Sequence, residues 1–369
     1  MRNSKHPTWI NINLSAIENN TKYVLKKTGV DVMAVVKTNA YGYGAVEVSK
    51  TALKAGATWL AVVRCEEISR LRDAGINAPI MVFGGATPGE VDLAIEQDAT
   101  LPVYDLELAQ VFSRRAQELG KRLRVHVKVD TGLGRFGVFP DDALDFTRRV
   151  LEMPGLVLDG IFSHFAVADV NGHPLTALQI RRFKGAVQSL NEAGIFPRWV
   201  HLANSPGILH QPQAYFNLVR AGGVLFGLGD VEDERGFPSN LQPAFTWKAQ
   251  LMSCKRFPAG WKIGYGQTYE TSEGEVIGVV PVGHGDGFLR NPGNEVLVDG
   301  RKVPVVGKVC MDQSMISLPK MYPLGTEVVL VGEQGDERIT PQEVARRWGS
   351  STTAATNINQ RVPRVYIRD

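Results

Sequence analysis

The chain has 369 residues, 44% of them hydrophobic and 21% charged, with a formal net charge of +3. That length suits one large barrel of roughly 250 residues with a smaller companion domain, and the composition is that of an ordinary globular protein. No long Lys/Arg run is present to neutralise a phosphate backbone, so nucleic acid is not an expected partner. Met1–Pro7 is polar and lacks the core of a signal peptide. No stretch reaches the ~18 apolar residues of a membrane span. Cys65, Cys254 and Cys310 are scattered, which fits a reducing compartment rather than a disulfide framework or a metal site. A cytoplasmic protein without metal is the expectation.

Through about residue 230, short β-branched runs alternate with longer amphipathic stretches, the pattern of parallel strands joined by crossover helices. Candidate strands are Val32–Val36, Trp59–Val63, Ile80–Phe83, Leu101–Tyr104, Leu123–Val129, Leu158–Phe162, Trp199–Leu202 and Leu218–Arg220. Helical patterns lie between most of them, such as Asp105–Leu119 and Ala177–Ala193. Eight such units predict an α/β fold with a closed (β/α)8 barrel, and an open doubly wound sheet is the alternative. The segment Glu232–Pro238 is polar and turn-rich. A boundary there gives a barrel domain over residues 1–236 and a mainly β domain over residues 237–369. Strands are expected in the latter at Phe245–Cys254, Glu275–Val282, Glu295–Val298, Val303–Val309 and Glu327–Val331, with one amphipathic helix at about Pro341–Trp348.

Polar clusters recur where a barrel builds its site. Lys37 ends a hydrophobic strand, and a loop punctuated by Gly42 and Gly44 follows. Apolar surroundings disfavour an ammonium, which promotes the neutral amine needed to form a Schiff base with an aldehyde cofactor. Arg135 closes a glycine-rich loop after the fifth candidate strand, His164 follows the sixth, and His201 with Ser205 follows the seventh. Arg220 ends the eighth, before Gly222 and Gly223, whose missing side chains let backbone N–H groups approach an anion. Taken singly, each has an ordinary structural explanation: an exposed lysine, a surface ion pair, a satisfied core histidine.

The whole string from Val35 to Gly44 resembles the cofactor-attachment signature of the alanine racemase family, and similar strings follow in order over essentially the full chain. The resemblance implies pyridoxal 5′-phosphate as cofactor and Lys37 as its Schiff-base lysine. It assigns Tyr41, Ser205, Gly222 and Gly223 to the phosphate, His201 to the neighbourhood of the pyridine ring, and Arg220 to its nitrogen. A permanently protonated arginine there disfavours a second positive charge on the ring, which restrains side reactions and favours simple removal and return of the α-proton. Arg135 is implied to hold the cofactor's phenolic oxygen and the substrate carboxylate, and His164 to relay between an arginine and the catalytic tyrosine. Lys128 matches a position that is carbamylated in some members.

Racemisation needs an acid/base group on each face of a planar intermediate, and the segment Ile263–Tyr269 resembles the family's second one, with Tyr265 in that role. In the family this segment comes from the partner subunit, which implies a homodimer with shared sites. Met311 is implied to offer its backbone N–H to the substrate carboxylate, while His284 and Asp312 line the entrance. The family usually carries tyrosine where His284 stands, and its second phosphate-binding tyrosine falls at about Thr352. Both departures remove bulk, so serine or a broader substrate range joins alanine as an expectation, alongside D-alanine supply for peptidoglycan precursors. A barrel-type decarboxylase would require a cysteine acid in the β domain, but Cys310 sits inside a racemase-like string. A non-catalytic cofactor carrier would not need Tyr265.

Overall fold

The computed structural model describes residues 6–228, 240–348 and 353–368, which fall into two compact units. One takes residues 16–227 and 240–242, and the other residues 6–15, Leu228, 243–348 and 353–368.

Apart from an N-terminal strand β1 (Thr8–Asn13), the first strands of the chain all belong to the first unit: β2 (Asp31–Val35), β3 (Trp59–Val62), β4 (Ile80–Val82), β5 (Ala99–Val103), β6 (Leu123–Lys128), β7 (Leu156–Phe162), β8 (Trp199–His201) and β9 (Leu218–Ala221). They are hydrogen-bonded in the order β8-β7-β6-β5-β4-β3-β2-β9, all parallel. The ends nearly close, because Arg220 N donates to Ala203 O at 3.0 Å and Asn217 N to Val200 O at 3.4 Å. The eight strands therefore make the (β/α)8 barrel rather than the open sheet.

Alternation along the strands fills the interior. Met33, Val35, Trp59, Ala61 and Met81 join Phe162 and Leu218 in one cluster. The residues between them, Ala34, Leu60, Ile80 and Val82, are buried as well. Strands covered on both faces read as unbroken apolar runs, which is why the sequence exposes them so clearly. The helix Leu106–Glu118 starts where the Asp105 carboxylate accepts from Leu108 N at 2.8 Å, satisfying one of the donors a helix start leaves over.

The second unit is mainly β. Its long sheet runs Ser253–Arg256, Val276–Val280, Ser314–Leu318, Arg301–Val306, Glu295–Val298, Glu327–Gln334, Phe245–Gln250, β1 and Arg364–Ile367. The place of β1 corrects the expected assignment of residues 1–236 to the barrel: β1 pairs antiparallel with Phe245–Gln250 and parallel with Arg364–Ile367. Thr8, Ile10 and Ile12 alternate as buried residues, and the Thr8 hydroxyl both donates to Lys248 O and accepts from the fully buried Trp247 Nε1, each at 2.9 Å. The boundary expected at residues 232–238 lies outside the described residues. The expected strand Phe245–Cys254 is two strands, because Leu251 turns to bond Thr326 O and Gly325 N and hands the chain to a new neighbour. The helix Pro341–Trp348 forms where its pattern places it. Among the described residues, no helix is long and apolar enough to cross a membrane.

Candidate active site

Lys37 leaves β2 into a turn of unusual hand. Thr38, Asn39, Ala40 and Tyr41 all have φ of 53–54°, a left-handed helical turn that Gly42 closes at φ 88°. For L-residues this hand costs ~1–2 kcal/mol each, so the turn needs anchors. The Glu67 carboxylate accepts from Thr38 N at 2.5 Å, Val63 N at 3.0 Å and Arg64 N at 3.1 Å. Asn39 Oδ1 accepts from Ala45 N at 2.9 Å and Arg70 Nη1 at 3.0 Å. The Lys37 amine is lowered below its ordinary basicity by burial first and then by Arg135, with Glu67 opposing. Its Nζ stands 5.7 Å from the Tyr41 ring centroid.

The turn delivers Tyr41 to a cradle. A Cβ at Gly222 would fall 2.7 Å from Tyr41 Oη and 3.6 Å from Ser205 Oγ, so glycine is what leaves this space open. Ser205 Oγ already accepts from Gly222 N at 3.0 Å and Val224 N at 3.3 Å, which leaves its own hydrogen to donate. Burial pushes the Tyr41 phenol up to about 12, so it too keeps its proton. Gly223 opens the short turn Gly223–Phe226 beside them, and the Phe226 ring packs against Tyr41 at 5.3 Å. Two hydroxyl donors around a bare backbone can hold a phosphate.

Arg220 is buried on β9. Its Nη1 donates to His201 Nδ1 at 2.9 Å, and its Nη2 to Ser163 O and Leu202 O at 2.8 Å and to His164 Nδ1 at 3.1 Å. A guanidinium only donates, so both histidines accept at Nδ1 and, being neutral, carry their hydrogen on Nε2. Burial and then the Arg220 charge hold both rings well below the usual histidine range. Burial brings Arg220 itself down to about 9, still a cation at neutral pH. Lys128, at the end of β6, is lowered to about 8 by burial and then by Arg135 and Arg220.

Arg135 is exposed on a loop that Asp130 ties together, its carboxylate accepting from the N–H groups of Gly132, Leu133, Gly134 and Arg135 at 2.8–3.2 Å. Burial alone would raise the Asp130 carboxyl, but these donors outweigh it and leave it lowered. Buried Gln179 joins two site loops by donating to Thr131 Oγ1 at 3.2 Å and His164 O at 2.9 Å and accepting from Ala166 N at 2.9 Å. The charges of Arg220, Arg135, Lys128 and Lys37 all act on His164, so the site is prepared for an anionic ligand.

The second unit presents the other expected residues. Tyr265 is 69% exposed in a turn flanked by Gly264 at φ 72° and Gly266 at φ 71°. A Cβ at Gly264 would meet Met315 Cε at 2.7 Å. With Met311 and Asp312 it borders a cavity of about 450 Å³ also lined by Gly264, Cys310 and Gln313. His284 is not in that lining, but its segment is zipped to the wall, His284 N donating to Cys310 O at 3.0 Å and Gly285 N to Met311 O at 2.8 Å. Arg361 fixes Asp312 from behind, Nη2 donating to it at 2.8 Å while Nε donates to Asp286 at 2.7 Å. Thr352 lies outside the described residues.

The barrel unit thus gathers Lys37, Tyr41, His164, His201, Ser205, Arg220, Gly222 and Gly223, and the second unit gathers Tyr265, Met311 and Asp312. Sequence reasoning missed Glu67, Asn39, Arg70 and Gln179, whose bonds Thr38–Glu67, Ala45–Asn39, Arg70–Asn39 and Gln179–Thr131 join residues 6–48 positions apart. No local spacing announces them.

Polar side chains collected at the C-terminal ends of barrel strands, with a lysine short of its usual basicity among them, define the barrel unit as that of an enzyme. Family models for the alanine racemase N-terminal and C-terminal domains match residues 12–230 and 244–366. An alanine racemase of Methanococcus maripaludis is 40% identical, over 98% of this chain and 99% of that one. The crystal structure of alanine racemase from E. faecalis superposes with a TM-score of 0.94 at 38% identity, covering 99% of each chain. That from Bacillus anthracis, with bound L-Ala-P, gives 0.93 at 38% identity, covering 99% of this chain and 96% of that one. The chain belongs to the alanine racemase family.

Proposed function

We propose that the chain interconverts L- and D-alanine with pyridoxal 5′-phosphate, as a cytoplasmic homodimer in which Lys37 and Tyr265 of the partner subunit serve one site. The observation that carries this reading is the joining of Lys37 to the Tyr41, Ser205 and Gly222 cradle through one strained turn. The donor set fits the cofactor: two hydroxyls and bare backbone for its phosphate, a buried guanidinium for its ring nitrogen, a lysine of lowered basicity for its aldehyde. When bound, that cofactor supplies an aldehyde that joins an amine and a ring that acidifies the substrate Cα–H.

Lys37 Nζ, lowered toward the neutral amine, holds or moves the Cα proton on the D side. Tyr265 Oη of the partner subunit does so on the L side. His164, its Nδ1 occupied by Arg220, offers Nε2–H to that phenol oxygen. Arg220 stays protonated and, with the cofactor bound, would hold the ring nitrogen as a donor without giving up a proton. Arg135 and the Met311 N–H orient the substrate carboxylate, and Asp312, held by Arg361, shapes the entrance.

His284, on the segment zipped to the cavity wall, and Thr352 extend the substrate range to serine, a discrimination worth roughly 1–3 kcal/mol per missing contact. Chiral chromatography of the purified protein with a panel of L-amino acids, with and without added cofactor, tests the whole reading. Cofactor-dependent racemisation of alanine, with slower turnover of serine, is expected. Carbon dioxide release would mark a decarboxylase, and activity confined to alanine would remove the serine claim. Lys37→Ala should lose covalently bound cofactor, and Tyr265→Phe should slow the two directions with different isotope sensitivity. Normal racemisation by either variant would overturn the two-base scheme.

A further inference from the structure

The hydrogen-bond chain that begins at Arg220 does not stop at His201. His201 Nε2 lies 2.9 Å from His126 Nδ1, and both rings are fully buried. Because Arg220 can only donate to His201 Nδ1, His201 carries its hydrogen on Nε2 and donates it to His126 Nδ1. His126 must then carry its own hydrogen on Nε2. That nitrogen is buried without a hydrogen-bond partner, and Asp159 Oδ2 stands 3.8 Å from it. At that distance the contact is electrostatic, an N–H dipole beside a carboxylate.

The barrel is deformed to allow this. Strands β6 and β7 pair Val125 with Leu158 and then His126 with Gly160, so Asp159 is the extra residue of a bulge, the device by which a strand re-aims a side chain. A Cβ at Gly160 would stand 2.8 Å from three atoms of the His126 ring, so only glycine leaves the imidazole its place. Burial alone would raise the Asp159 carboxyl, yet it is held below its ordinary value by His126 and the charges of Arg198 and Arg124. Phe162 stacks on His201 at 4.9 Å with the planes 5° apart, which fixes the ring.

We infer that Asp159, His126 and Gly160 are positioning residues for Arg220. They form a one-directional chain, Arg220 to His201 to His126 to Asp159, that sets both tautomers and balances the buried guanidinium with a carboxylate two imidazoles away. Neither ring can reverse its tautomer without placing a lone pair toward the Asp159 carboxylate and an N–H toward the guanidinium. The guanidinium is thereby held in one orientation and as a cation. This rests on the reading that Arg220 faces the ring nitrogen of pyridoxal phosphate, but the chain itself is testable without the cofactor.

The test is two-bond ¹H–¹⁵N correlation on histidine-labelled protein, with and without pyridoxal phosphate. Both buried rings should be neutral with hydrogen on Nε2 in each sample, and Asp159→Asn should shift the His126 and His201 signals. In the loaded enzyme Asp159→Asn and His126→Phe should lower kcat on the order of tenfold, with little change in KM and a displaced absorption maximum of bound cofactor. An Nδ1–H tautomer at His126 or His201 in the unsubstituted protein overturns the inference even if the variants do not fold. So do unchanged His201 shifts and unchanged kcat in both variants. A protein that binds no pyridoxal phosphate yet shows both Nε2–H tautomers would refute the functional reading and leave the chain standing.

Discussion

Removing the Glu67 carboxylate tests whether the left-handed turn is held from outside. Four residues at φ of 53–54° carry roughly 4–8 kcal/mol of conformational cost between them, and Glu67 accepts three backbone donors at and beside that turn. Each bond to a charged acceptor is worth about 1.5–3 kcal/mol when shielded; those at Thr38 and Arg64 are exposed, so the three together contribute about 2–4 kcal/mol. Glu67→Ala should lower the Tm of the cofactor-free protein by roughly 5–15 °C and weaken pyridoxal phosphate binding at least ~10-fold, because Tyr41 leaves the cradle with the turn. Glu67→Gln, which turns an N–H donor toward a backbone donor, should fall between. The Lys37 amine should drop further, since Glu67 opposes the burial and Arg135 that lower it, so its labelling rate should rise at a lower pH. Glu66→Ala is the control, because Glu66 is exposed and pairs with Arg64 at 3.4 Å, away from the turn's backbone donors. Differential scanning calorimetry and cofactor titration decide. If Glu67→Ala matches the control in both, the turn is stable on its own account and the reasoning fails.

Gly222→Ala should raise the Kd for pyridoxal phosphate ~10–100-fold, because its Cβ would sit 2.7 Å from Tyr41 Oη, and unchanged equilibrium dialysis would contradict the cradle. Gly137→Ala should lower the urea midpoint by the equivalent of at least about 2 kcal/mol, since it combines a φ of 132° with a Cβ 2.4 Å from Asp130 N; it should also raise KM by loosening Arg135. Lys128→Met should stabilise the cofactor-free protein in carbonate-free buffer. The folded-state value of about 8 lies below the ordinary 10.5, so the protonated amine burdens the folded state below pH 8 and the burden fades between pH 8 and 10.5 as the unfolded chain binds the extra proton. The gain should be roughly 1–3 kcal/mol at pH 7 and absent by pH 11, and a gain that does not shrink with pH would assign it to packing instead.

The sequence exposed the barrel because its signals are local. Val32 to Val36 and Trp59 to Val63 announce strands buried on both faces, and Asp105 announces a helix start by its own side chain. Pairing is a different matter: Trp9 to Ile12 alternates visibly, but that alternation cannot say that its partners are Phe245–Gln250 and Arg364–Ile367 rather than a barrel strand. The chemistry divides the same way. Of the proposed site residues, Lys37, Arg220 and Tyr265 each lie in a contiguous string, whereas the groups that brace the Lys37 turn and Arg220 come from elsewhere in the chain. Glu67 lies 29 residues from Thr38, and Asp159 meets His126 only because a bulge shifts β7 by one residue. Neither Thr38, Ala40 nor Tyr41 is a residue type that favours positive φ, so three of its four residues do not announce the strained turn; its anchors include the Glu67 carboxylate and Arg70, both on the next strand-helix unit. Strain of that kind persists only where surrounding contacts over-determine it, so on the proposed reading the supports around Lys37, rather than the residue itself, are the places where activity can be tuned without removing its chemistry.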